Sequence, residues 1–144
     1  MITTWKNYEF TSHKHGNKTA PWDSRNTNSY LVYIYNTKTG KRIQFDFWMS
    51  LAKPKMTSRG DLLNAVECFL SDAQAGTMDY SEFCHEFGYD EWGEYGRNAK
   101  SDRTWKACKR ALEKFEAVFD EDIYDVCNEF REYMESKEEE YETV

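Results

Sequence analysis

The stretch Ser29-Tyr30-Leu31-Val32-Tyr33-Ile34-Tyr35 is dominated by aromatic and β-branched side chains. Such residues suit a pleated surface and lose rotamer freedom in a helix. Asn36-Thr37-Lys38-Thr39-Gly40 follows, and then Lys41-Arg42-Ile43-Gln44-Phe45-Asp46-Phe47-Trp48. The first of these is a turn, with Gly40 able to take positive φ beside a bulge. The second is a returning strand, with Ile43, Phe45 and Phe47 on one face and Arg42, Gln44 and Asp46 on the other. The chain must therefore build on an antiparallel hairpin with one covered face and one at least partly wet. On the first strand either Tyr30/Val32/Ile34 or Leu31/Tyr33/Tyr35 could be the covered set, and periodicity leaves both open.

Around this hairpin the pattern is mixed. Trp5 to Phe10 alternates and suits one short strand, whereas residues 11–28 are polar, contain Gly16 and Pro21, and read as a long loop. Residues 49–60 form a connection, with Ser58 and Asp61 in weak capping-box spacing. Leu62, Val66, Phe69/Leu70 and Ala73 then make a single apolar stripe, which Gly76 ends. Asp79 is a good N-cap, with Glu82 at N3, a Met78–Phe83 staple and Gly88 as the stop, so 80–87 is a short helix. A helix over about 101–118 carries Trp105, Cys108, Leu112, Phe115 and Phe119 on one face. A last helix over about 121–135 turns Ile123, Val126/Cys127, Phe130 and Tyr133/Met134 inward.

Strands first and helices afterwards predict an α+β protein. The expected form is a small antiparallel sheet of about three strands, followed by about four helices packed on one face. Residues 1–144 are expected to form a single domain. Its parts are a basic β part (1–60), an acidic helical part (61–135) and a frayed acidic tail (136–144).

Charge follows the same division. Residues 1–60 hold ten Lys/Arg against three Asp/Glu, and residues 61–144 hold nine against twenty-three. Such asymmetry points to surfaces that meet charged partners. No apolar run is long enough to span a bilayer, and the first residues lack a basic n-region followed by an apolar stretch, so a cytosolic protein is expected. Cys68, Cys84, Cys108 and Cys127 are widely spaced, with no C-x-x-C pair, and read as reduced thiols acting as small hydrophobes. A zinc site using Cys84, His85 and two further cysteines lacks ligand spacing.

Tyr80-Ser81-Glu82-Phe83-Cys84-His85-Glu86-Phe87-Gly88-Tyr89-Asp90, followed by Trp105-Lys106-Ala107-Cys108, resembles a pattern in small accessory proteins of phages and prophages. In that group an F-C-x-E-F/Y-G-Y-D segment precedes a helix of the type Y/W-x-A-C. The helix ending Leu70-Ser71-Asp72-Ala73 and the aromatic hairpin are also similar, so the resemblance covers about residues 28–120. It departs between Asp90 and Trp105, where a longer segment with Trp92, Gly93 and Gly96 replaces a short turn. The resemblance implies a phage or mobile-element context, a group that includes inhibitors of host defence and anti-CRISPR proteins. Phe83, Phe87 and Tyr89 are expected to serve as core and capping residues, with Tyr89, Asp90 and Trp92 as a candidate recognition patch.

No phosphate loop, nucleophile elbow or zincin motif is present, and no cofactor, metal or enzymatic activity is expected. His13 and His15 would point the same way if their loop were extended, yet two imidazoles alone rarely hold a metal. Two binding surfaces compete. Asp122, Asp125, Glu129 and Glu132 fall on one helical face and could mimic nucleic acid toward a basic groove of a host protein such as a CRISPR effector. Lys106, Lys109, Arg110 and Lys114 on the preceding helix could neutralise part of that row. The alternative surface is the basic hairpin, where Lys38, Lys41, Arg42 and Trp48 could hold nucleic acid. The expectation is a binding protein, monomer or homodimer, inhibiting a host nucleic-acid-handling complex through its acidic face.

Overall fold

The segment expected as one strand over residues 5–10 is a hairpin. The computed structural model describes residues 1–19, 26–50, 52–89 and 100–142. Its first strand, β1 (Ile2–Trp5), turns through Lys6 and Asn7 into β2 (Tyr8–Thr19). Lys6 adopts φ 54, which reverses the chain, and its ammonium lies 5.2 Å from the centre of the Trp5 ring. β3 (Asn26–Asn36) and β4 (Arg42–Trp48) complete an antiparallel sheet of order β1-β2-β3-β4.

The architecture is α+β, with four strands among the described residues rather than about three. The difference comes from residues 11–28, read as a loop because their side chains are polar. Residues 11–19 extend β2 and residues 26–28 begin β3; residues 20–25 lie outside the described set. Thr11 and His13 sit on the wet face, so they need no apolar character to be strand residues.

Four helices follow among the described residues. They are α1 (Arg59–Ala75), α2 (Tyr80–Phe87), α3 (Lys100–Val118) and α4 (Ile123–Glu142). The capping box at α1 is realised in both directions: Asp61 N donates to Ser58 Oγ at 3.2 Å, and Ser58 N donates to Asp61 Oδ2 at 3.1 Å. Burial alone would raise the Asp61 carboxyl, but the Lys53 ammonium and the N–H groups of Thr57 and Ser58 outweigh it and hold it below its ordinary value. At α2, Glu82 N donates to Asp79 Oδ1 at 2.8 Å, and Gly88 closes the helix at φ 74. α4 runs on to Glu142, so residues 136–142 of the expected acidic tail are helical; residues 143–144 lie outside the described set.

The chain divides into two compact units, Met1–Val66 and Glu67–Val144, with the boundary inside α1. In the first unit the covered face of the sheet carries Tyr8, Phe10, Tyr30, Val32 and Ile34, all buried, beside half-buried Ile43, Phe45 and Phe47. Tyr30, Val32 and Ile34 are thus the inward set of β3. The Tyr30 hydroxyl accepts the Met56 N–H at 3.0 Å, which satisfies its polar end.

In the second unit most of the expected stripes are buried, namely Phe69, Leu70 and Ala73 of α1, Cys108 and Phe115 of α3, and Val126, Cys127 and Phe130 of α4, while Trp105, Leu112, Tyr133 and Met134 are half-buried. Phe83 stacks against Tyr89, with ring centres 5.9 Å apart, and packs with Met78, Ala75 and Cys108. Phe87 departs from its expected core role and is 52% exposed, with only its inner side against Phe83. Trp105 donates its indole N–H to the Met78 carbonyl at 3.0 Å, tying α3 to the α2 entry.

Candidate functional site

The sheet register decides which residues reach water. On the face opposite Phe10, Val32 and Ile34, three rows cross β2, β3 and β4. They are Glu9–Tyr35–Arg42, Thr11–Tyr33–Gln44 and His13–Leu31–Asp46. Tyr33 and Tyr35 are half-buried there, flanked by exposed His13, Arg42, Gln44 and Asp46. A concavity of about 820 Å³ lies over this face, lined by Glu9, Thr11, His13, Tyr33, Tyr35, Gly40 and Arg42.

Tyr33 is the centre of the arrangement. The Arg42 guanidinium lies 5.3 Å from its ring centre, and the His13 ring meets it edge-on at 5.9 Å. A register irregularity between Lys14 and Gly16 bends β2, and the His15 Nδ1 lies 3.5 Å from an Asp46 carboxylate oxygen. His15 and Asp46 are therefore neighbours, while His13 stands across β3 from Asp46. Among the described residues, however, no group of three His, Cys, Asp or Glu side chains could hold a metal ion.

The turn between β3 and β4 is held by one buried side chain. Asn36 Oδ1 accepts from Asn7 Nδ2 at 2.8 Å, from Lys38 N at 3.0 Å and from Thr39 N at 3.3 Å. Gly40 takes φ 79, as the turn required. Lys38 and Lys41 are exposed at this tip, next to Arg42. Trp48 closes the far end of β4, half-buried opposite Ser29. Three of the four hairpin candidates thus gather at one end of the sheet, and Trp48 stands apart from them. Sequence reasoning leaves open whether Tyr33 and Tyr35 face the core or the water. Their alternation with Tyr30, Val32 and Ile34 was the available signal, and it was symmetrical.

The acidic candidates lie on α4 and at the residue just before it. Asp122, Asp125, Glu129 and Glu132 are all exposed. Asp122 has a local task, because its carboxylate accepts the Tyr124 N–H at 2.7 Å and caps the helix. Asp125 stands in the first turn, where a negative charge favours the helix. The cations expected to neutralise the row are partly committed elsewhere. Lys106 pairs with Asp102 at 2.8 Å, and Lys109 lies 4.8 Å from the Trp105 ring centre. Of the second patch, Tyr89 is half-buried on Phe83, while Asp90 and Trp92 lie outside the described residues.

The four thiols are free: Cys84, Cys108 and Cys127 are buried, and Cys68 is exposed. Burial, with the Asp72 charge adding to it, pushes the Cys108 thiol up to about 11. That is the condition of a packing residue rather than of a nucleophile. Among the described residues no helix is long and apolar enough to cross a membrane. Compared with protein-family models, with curated proteins and with solved structures, the chain finds no match.

Proposed function

We propose that this protein acts by binding rather than by catalysis, and that the open face of its sheet takes single-stranded nucleic acid. The observation that supports this is the register that turns Tyr33 and Tyr35 outward beside Arg42 and His13. Side chains two apart on a strand stand roughly 6.7 Å from each other, a spacing that unstacked successive bases can match. Arg42, Lys38 and Lys41 supply positive charge at one end for phosphates. Glu9 and Asp46 lower the net charge of the face, so stacking carries more of the affinity than charge does.

The test is fluorescence anisotropy with labelled single-stranded oligonucleotides. Tyr33→Ala and Tyr35→Ala should each weaken binding by about 1–3 kcal/mol, the range for one stacked base. Neutralising Lys38 and Lys41 should weaken all sequences alike and flatten the salt dependence. A wild-type chain that binds no oligonucleotide, or tyrosine variants that bind as well as wild type, would sink this reading.

A second reading is favoured by the exposed α4 row. In this reading the protein comes from a phage or mobile element. Its acidic face occupies a basic groove of a host nucleic-acid-handling complex, a CRISPR effector being one example, and blocks access to nucleic acid. Because Asp122 and Asp125 also serve the helix start, Glu129 and Glu132 are the informative pair. Glu129→Lys with Glu132→Lys should abolish a nuclease-resistant complex with such a partner while the helix content stays that of wild type. A complex that survives the double change excludes charge mimicry by this face.

A further inference from the structure

Among the described residues, β4 is the last strand of the sheet. The direction of its backbone can be read from its two ends. Asn36 N donates to the Lys41 carbonyl at 2.9 Å, and Met49 N donates to the Asn28 carbonyl at 3.0 Å. Residues 41 and 49 therefore turn their polar groups toward β3. Alternation along the strand turns the N–H and C=O of Arg42, Gln44 and Asp46 toward the outer edge.

Those same three residues are self-complementary. We propose that a second copy of this chain docks on the outer edge of β4, antiparallel, with the two-fold axis at Gln44. In that register Gln44 faces Gln44 of the other copy, and Arg42 of each chain faces Asp46 of the other. Backbone hydrogen bonds are exchanged at each of these pairs, because these are the residues whose polar groups point outward. On the covered side Ile43 of each chain meets Phe45 of the other, and both are half-buried in the single chain.

Charge selects this register over its neighbours. An axis at Arg42 would oppose two arginines, and an axis at Asp46 would oppose two aspartates. An axis at Ile43 or Phe45 would set a charge against Gln44 and leave its opposite sign unmatched. The contact is isologous and closes on itself, so it yields a dimer and not a fibre. Arg42, Gln44 and Asp46 lie on the open face in both copies, so the two open faces join across the seam. This inference concerns the edge and holds whatever the face binds.

The experiment is sedimentation equilibrium over a range of concentrations. Wild type should reach twice the monomer mass. Arg42→Glu sets two carboxylates against each other at both contacts, and Asp46→Lys sets two cations there. Each variant alone should self-associate at least about tenfold more weakly. Mixed in equal amounts, the two variants should recover a dimer, because each contact then pairs opposite signs. Far-ultraviolet circular dichroism confirms that each variant is folded. A wild type that stays at monomer mass would show that Arg42 and Asp46 guard the edge against pairing, and would overturn the proposal. Single variants that dimerise like wild type, or a mixture that does not recover, would overturn it as well.

Discussion

Gly76→Ala should destabilise the protein by about 3 kcal/mol, toward the upper end of what overpacking costs. A Cβ built at this position falls 2.4 Å from the Cys108 carbonyl oxygen and 2.8 Å from its carbon, with the Leu112 Cβ at 3.1 Å. The obstacle is the backbone of α3, which no rotamer change can remove. Its φ is not positive, so the residue is glycine for space rather than for conformation. Gly60→Ala is the matched control, since the nearest atom there is Ser58 Oγ at 3.6 Å. That change lies in α1 and should be neutral or slightly stabilising. Urea unfolding of both variants measures the contrast. A Gly76→Ala protein within about 0.5 kcal/mol of wild type would mean that the close approach of Gly76 to α3 is not required.

Asn36→Ala should cost about 2–3 kcal/mol, because it removes the acceptor of a buried network. Asn36 has 0% exposure, and its amide oxygen is shared by the Asn7 side chain and the Lys38 and Thr39 N–H groups. Asn7 in turn accepts through its carbonyl from Thr37 N and Thr37 Oγ1, at 2.9 and 2.8 Å. Asn36 and Thr37 thus fasten the β1–β2 turn to the β3–β4 turn. The measured loss should appear in the urea midpoint without a change in slope, since the surface exposed on unfolding is the same. A loss confined to a few tenths of a kcal/mol would show that water replaces the amide without penalty.

How far the sequence spoke depended on what each signal encodes. Caps were legible because they are written in side chains a few residues apart: Ser58 with Asp61, Asp79 with Glu82, and Gly88 at its left-handed stop. The inward stripes of α1 and α4 were legible because apolar residues recur at helical spacing. The long strand β2 was not legible. Its outward residues are polar by right, and its partner β3 supplies the pairing that its own sequence does not announce. Lys6 hid the first turn, since positive φ at a lysine has no compositional mark. In the sequence Gly76 reads as a helix stop, while its need for space comes from Cys108, more than thirty residues away along the chain. Tyr33 and Tyr35 were named as one of two candidate faces, and only the register with β2 and β4 assigns them to water.

The strand order carries a kinetic meaning. Each strand pairs with the strand next to it in sequence, and no crossover connection intervenes. The sheet therefore needs no distant loop closure before its first ladder bonds form. The turn around Asn36 holds its own hydrogen bonds and joins two strands only five residues apart. Pairing can start there and pass outward strand by strand, in the manner of a zip. Chain topology thus favours rapid assembly of the sheet, and the ordering of residues toward the open face accompanies that assembly rather than following it.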